Sequence, residues 1–204
     1  LDWYDAFNEV RSARYADLGL LSASGEGTLL PASTGVGGRA ADPAAVTLDL
    51  IAAAGPQPQR LRAHRLTNPQ QQEALRYGAA FSRGVLVREP DAAVLQVSGT
   101  AAVDEAGRSV QPDDVRAQIR CTFDNLEALL IQAGASLADI CAATVFVRRP
   151  EFAAHFHALA AERGLTDFPG VCVVADICRP DLLFEIDAEA AVAPARVPSS
   201  LLSL

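Results

Sequence analysis

Residues 124–147 read DNLEALLIQAGASLADICAATVFV, and the hydrophobic period changes partway through. Leu126 and Leu130 continue a spacing that begins at Val115, Ile119 and Phe123, which is one face of a helix, and Gly134 closes it. Residues 142–149, AATVFVRR, follow as a run of small, β-branched and aromatic side chains, the composition of a strand. A helix therefore feeds a strand across a short Gly-containing connection.

The flanking sequence extends this pattern. Upstream, residues 80–103 form two β-rich runs separated by Glu89-Pro90-Asp91, a hairpin signal, and Pro112, Asp113 and Asp114 supply a first-turn proline and N-terminal acids for the helix. Downstream, Pro150 opens a second helix with Phe152, Phe156, Leu159 and Ala160 on one side and Gly164 beyond its end. Strands at 170–177 and 182–193, joined around Arg179-Pro180, complete the order β-β-α-β-α-β-β over residues 80–194. That order predicts an α+β domain with one mixed sheet and two helices on a single face. The other face is left for solvent, the N-terminal segment or a partner, and its Val and Ala content favours the latter two, homo-oligomerisation being the simplest.

Residues 1–79 read as a partial N-terminal α/β segment. It has a helix over 3–18, a Gly- and Ser-rich loop to Gly38, and strands at 45–53 and 60–66; residues 195–204 are a tail. Residues 31–39, PASTGVGGR, form a loop rich in backbone donors.

Composition narrows the chemistry. The chain has 204 residues, half of them apolar and 21% charged, with mean hydropathy +0.16, enough for one sizeable core. No run approaches the ~20 apolar residues of a spanning helix, and the N-terminal residues lack a signal peptide's basic start and apolar core, so a cytoplasmic protein is expected. With no Met in the chain, Leu1 is not expected to be the translated start. A net charge of −8 and a pI near 4.8 oppose DNA, RNA and anionic lipid, so neither nucleic acid nor membrane is an expected partner. All 17 basic residues are Arg, which excludes Schiff-base and lysine-base chemistry. Cys121, Cys141, Cys172 and Cys178 contain no CxxC pair and sit in apolar runs, reading as reduced and mostly buried thiols. His155 and His157 are two apart on a helix and His64 stands alone, so no metal is expected, nor any cofactor.

The 124–147 run resembles the Rid (YjgF-type) superfamily, whose NLxAxLxxAGxSLxDI helix precedes a TVFV strand. Ser98-Gly99-Thr100 sits at that family's SGQ-like strand end, and FEIDAEA at 184–190 resembles its last strand. The resemblance implies a chorismate-mutase-like fold assembled as a homotrimer, with ligand sites at subunit junctions. Rid imine deaminases carry an Arg where this chain has Gly170, although Cys172 matches the family cysteine. Without that cation the imine or enamine hydrolase reading weakens; a non-catalytic ligand-binding trimer is a further alternative.

Several motifs in order resemble the chorismatases, whose C-terminal half is Rid-like. They are LPASTGVGG at 30–38, Asn68-Pro69-Gln70-Gln71, Phe81-Ser82-Arg83 and ADICRPDLLFEID at 175–187. Chorismatases are longer at the N-terminus, and their insert before the SFSRA segment is reduced here to residues 74–80, so residues 1–79 correspond to a shortened chorismatase-like half. The resemblance implies metal-free removal of the enolpyruvyl group from chorismate or a related cyclic carboxylic acid, in aromatic-acid or secondary-metabolite biosynthesis. Cys178 in place of Ala implies the branch whose products are 3-hydroxybenzoate and pyruvate.

Such chemistry needs a proton donor for the enolpyruvyl methylene and cations for two carboxylates, tasks that fall to a carboxylic acid and to Arg. Alternation puts Glu185, Asp187 and Glu189 on one strand face, which reads either as a solvated acidic face or as the seat of an acid. Glu185 matches the chorismatase catalytic Glu and serves as a general acid if burial raises its pKa. Cys178 is its companion in the catalytic pair, with a packing or shape role favoured because no His lies nearby in sequence. Arg83, on the hairpin, is the first candidate for a substrate carboxylate, with a structural ion pair as the alternative. Arg39, Thr34 and Gly35 in the Gly-rich loop, Thr100 at the strand end, Arg179 and Cys172 complete the expected substrate-binding set. An ordinary turn, a plain strand residue and a surface ion pair are the respective alternatives for the loop, Thr100 and Arg179.

Overall fold

The computed structural model describes residues 3–22, 29–38, 46–52 and 61–202. Its elements are α1 (Tyr4–Asp17), β1 (Arg62–Leu66), β2 (Gly84–Arg88), β3 (Ala93–Ala101), α2 (Val115–Gln132), β4 (Ile140–Val147), α3 (Phe152–Glu162), β5 (Gly170–Val174) and β6 (Phe184–Val192). The six strands form one mixed sheet in the order β1-β2-β3-β6-β4-β5. All pairs are antiparallel except β4 with β5. The parallel pair follows from α3, which returns the chain across the sheet between those two strands.

The helices α2 and α3 cover one face, as the sequence predicts. Ile119, Phe123, Leu126, Leu130, Phe156 and Leu159 pack there on Leu86, Leu95, Val145, Phe184 and Ile186. Each large side chain fully removed from water contributes about 1.5–3 kcal/mol. Polar side chains at the helix–sheet junction are satisfied rather than excluded. Asn125 donates to the carbonyls of Ala101 and Val103, and Gln118 donates to those of Gln111 and Asp181 while accepting from the Leu183 amide.

Some boundaries differ from the expected ones. Helix α2 starts at Val115, after Pro112; Asp114 is its cap, accepting from the Ala117 amide, and Gln111 turns the chain at φ 50°. The strand expected at 45–53 does not form over the described residues 46–52, where Leu48, Leu50 and Ile51 are largely exposed. The period-2 pattern is present there, but no neighbouring strand receives it. Strand β5 ends at Val174 rather than 177, because Asp176 leaves the sheet to exchange backbone hydrogen bonds with Gly37. The cysteines are free but not mostly buried: Cys141 and Cys172 are exposed, Cys121 and Cys178 partly buried. No helix among the described residues is long and apolar enough to cross a membrane.

The sheet's second face is covered at one end by the N-terminal segment. Residues 30–37 cross it as a strap: Ser82 Oγ donates to the Leu30 carbonyl, the Ser82 amide to that of Pro31, and the Ser33 amide to Ser98 Oγ. Val36 packs beneath the strap against a small cluster that includes Ala101, Val103, Phe146, Ile177 and Leu182. Toward β5 the face stays open, with Val171 64% and Val173 40% exposed.

Candidate active site

Between the strap, α1 and the covered end of the sheet lies a cavity of about 200 Å³. Its floor is built by a bulge in β3. Val97 pairs with Ala188 and Thr100 with Ile186, so one extra residue is inserted at Ser98-Gly99. The extra residue frees Gly99 from the ladder, and its amide donates to Thr34 Oγ1 at 3.0 Å. Gly99 also makes room for its neighbour on β6: a Cβ there would overlap Glu185 Oε1 and lie 3.0 Å from both Glu185 Cδ and Thr34 Cγ2.

Glu185 faces the cavity because strand alternation places it opposite Ala101 and Phe146, on the face away from the helices. It is 4% exposed, and no hydrogen bond to its carboxyl is found among the described residues. Desolvation, reinforced by the charge of Asp187 and opposed by Arg83, raises its pKa to about 8. At neutral pH it is a carboxylic acid with a proton to give. Cys178 lines the same wall, and burial next to Glu185 pushes its thiol up to about 12. The sulfur is therefore held as a protonated thiol.

Among the described residues, the guanidinium groups of Arg11, Arg83 and Arg179 line this cavity. Arg83 is 3% exposed and donates to the Gln72 carbonyl through Nε (3.2 Å) and Nη2 (2.5 Å), and to Tyr77 Oη at 2.9 Å. Arg179 donates to the Gly107 carbonyl at 2.6 Å and lies 5.2 Å from the centroid of the Tyr77 ring, against which Arg83 also packs at 5.6 Å. Among the described residues none of the three forms an ion pair, whereas Arg65, Arg148, Arg163 and Arg196 all do. The ion-pair alternative for Arg83 and Arg179 is thus not realised among the described residues, and these guanidinium groups share the cavity with the protonated Glu185 and with Asp5.

The remaining expected residues distribute unevenly. Gly35 lines the cavity against Tyr4, and Thr34 holds the Gly99 amide. Thr100 is buried in register with Ile186, on the helix side of the sheet, and its hydroxyl donates to the Ser98 carbonyl. Cys172, in register with Val145, also lies on the helix side, at the exposed edge, so neither it nor Thr100 lines the cavity of this chain. Arg39 lies outside the described residues. Gly170, where Rid imine deaminases carry an Arg, begins the exposed edge strand, packed against Phe168.

Sequence reasoning missed the contribution of α1. Tyr4, Asn8 and Arg11 all line the cavity, and they occupy i, i+4 and i+7, one face of the helix. A polar stripe at the spacing where an apolar one is expected was the available signal. Tyr77 was missed as well, because its residues form a short 3-10 turn with no periodicity to read.

Comparison with known proteins agrees with this architecture. The chain is similar to a chorismatase of known crystal structure, with 27% identity and a TM-score of 0.58 over 63% of this chain and 44% of that one. It therefore spans less than half the length of that relative. A Rid-family protein of Yersinia pestis matches with 20% identity and a TM-score of 0.53, over 64% of this chain and all of its own. A Thermotoga maritima protein does so with 22% identity and a TM-score of 0.54, over 63% and 97%. The family model described as endoribonuclease L-PSP, the Rid/YjgF domain, matches residues 71–192. A sheet with two helices on one face, a strap-covered cavity and these matches together make the chain a chorismatase-like member of the endoribonuclease L-PSP (Rid/YjgF) family.

Proposed function

We propose that this protein removes the enolpyruvyl group from chorismate, or from a closely related cyclic carboxylic acid, releasing pyruvate and 3-hydroxybenzoate. The observation that supports it best is the coexistence, in one cavity, of a buried acid with a pKa of about 8 and guanidinium groups that form no ion pair among the described residues. Arg83 and Arg179, oriented by the carbonyls of Gln72 and Gly107, hold a substrate carboxylate. Glu185 gives its proton to the enolpyruvyl methylene carbon, which becomes the methyl group of pyruvate. The resulting oxocarbenium weakens the ring C–O bond, and the electron pair of that bond leaves with oxygen to form the keto group while the adjacent ring hydroxyl closes onto the vacated carbon as an epoxide, its proton returning to the Glu185 carboxylate. The epoxide then opens at the carbon that first carried the hydroxyl, and loss of the proton from the other carbon to the ring oxygen aromatises the ring as 3-hydroxybenzoate; the two products together equal the substrate, so no water is consumed.

Cys178, as a neutral thiol against Glu185, shapes the wall beside the ring and supplies no electrons. Gly35 and Thr34 bring the strap close enough to close the roof. Thr100 acts one shell further out, through the bulge carbonyl that it hydrogen-bonds. The assembly that accompanies this reading is a homotrimer in the cytoplasm, for which the open edge at Val171, Val173 and Val174 provides apolar surface, and in which Cys172 faces a neighbouring copy.

Incubation with chorismate tests the reading, following pyruvate by a coupled assay and aromatic products by chromatography. Equimolar pyruvate and 3-hydroxybenzoate, abolished in Glu185→Gln, is the expected result. Pyruvate formation that survives in Glu185→Gln, or none from the unaltered protein, overturns it.

A further inference from the structure

We propose that Arg11 of α1 binds a second anionic group of the ligand and makes the site selective for dicarboxylates over monocarboxylates. This rests on the reading of the cavity as a site for a cyclic acid, and adds a residue from a part of the chain to which no role has been given. The guanidinium of Arg11 is built into place: Nη2 donates to Asn8 Oδ1 at 2.6 Å and Nη1 to Ser33 Oγ at 3.2 Å. It lies 5.1 Å from the centroid of the Phe7 ring and 5.8 Å from that of Phe81. Among the described residues its Nε, shielded from solvent, has no partner, and Asp5, which also lines the cavity, forms no ion pair with it.

Arg11 is partly buried and its Nε fully shielded, so an arriving anion offsets desolvation that the guanidinium has already undergone. Docking alone does not explain it. Asn8, the buried residue of α1, spends its side-chain oxygen on Arg11 where an apolar residue serves packing better. The ring contacts of Arg11 also differ from those of the other two cations. Arg83 and Arg179 share the ring of Tyr77, whereas Arg11 shares Phe81 with Arg83, whose guanidinium lies 5.3 Å from that centroid. Two cationic positions that share one aromatic ring, in a cavity of about 200 Å³, fit a ring compound that carries two anionic groups.

Calorimetric titration with 3-(carboxymethoxy)benzoate and 3-methoxybenzoate tests this, because the two differ by one carboxylate. The dicarboxylate is expected to bind the unaltered protein on the order of 10- to 100-fold more tightly. Arg11→Met, which keeps the aliphatic stem on the two rings, abolishes that ratio and leaves the monocarboxylate affinity unchanged; Arg83→Met weakens both ligands. A ratio unchanged in Arg11→Met overturns the proposal, including where general loosening weakens both ligands equally, and so does an unaltered protein that shows no preference. Selective dicarboxylate binding without chorismate turnover refutes the proposed reaction and leaves the assignment of Arg11 standing.

Discussion

Replacing Gly99 by alanine tests the geometry of the site through one methyl group. The φ of Gly99 lies outside the left-handed region, so alanine meets no backbone strain and the effect is steric. The new Cβ overlaps Glu185 Oε1 and stands 3.0 Å from Glu185 Cδ and Thr34 Cγ2, tighter than an ordinary contact. Something must move, and the carboxyl has the cavity beside it to swing into. Overpacking a rigid core costs about 1–3 kcal/mol, and this substitution falls at the low end because the displaced group is a side-chain terminus. With about 2–4 °C of Tm per kcal/mol for a chain of this size, scanning fluorimetry is expected to show a fall of a few degrees. Catalysis suffers far more, since moving a reacting group by about 1 Å costs roughly 100-fold. Pyruvate release from chorismate is therefore expected to drop by about two orders of magnitude in a folded protein. A Gly99→Ala variant with undiminished turnover refutes the placement of Glu185 against the bulge.

The same contacts have other measurable consequences. Because the folded protein holds the Glu185 proton up to a pH of about 8 and the unfolded chain releases it near 4.5, stability falls as pH rises between those values. Glu185→Gln, neutral throughout, is expected to melt higher than the unaltered protein, with a margin that widens from pH 5 to pH 8 and reaches a few kcal/mol; a margin independent of pH contradicts this. Arg83 pulls the Glu185 pKa downward, so Arg83→Met shifts the titration of that carboxyl to higher pH, measurable by carbon NMR as a displaced midpoint. Gly134→Ala places a Cβ against the Arg196 carbonyl at a residue with φ 78°, so strain and clash combine. It is expected to lower stability by more than about 1 kcal/mol in urea unfolding without altering the cavity.

The fold was legible because its signals are local and repeated. The apolar period from Val115 to Leu130, the Gly134 stop and the TVFV run name a helix and strand by themselves, and Glu89-Pro90-Asp91 marks the hairpin. Glu185 and Arg83 were legible for a related reason: strand parity alone sends Glu185 to the face away from Ile186, and Arg83 directly precedes β2 among apolar neighbours. Other features depend on contacts distant in sequence. That the strap of residues 30–37 ends β5 at Val174 depends on Gly37 meeting Asp176, which no local pattern announces. Thr100 shares the Ser-Gly-Thr motif with Gly99, yet the bulge turns it to the helix side, because one inserted residue reverses the faces of the strand beyond it. The residues of α1 reach the cavity only through the path of a long connection, and the strand pattern at 46–52 was misleading because alternation reports suitability for a sheet and not the presence of a partner.

The central claim is that Glu185 is a neutral acid at working pH, and carbon NMR of carboxyl-labelled glutamate observes it without any substrate. A resonance missing from Glu185→Gln and titrating with a midpoint of about 8 is the result expected from its burial. A midpoint near 4.5, the ordinary value for glutamate, means a solvated carboxylate that has no proton to donate at neutral pH, and contradicts the account.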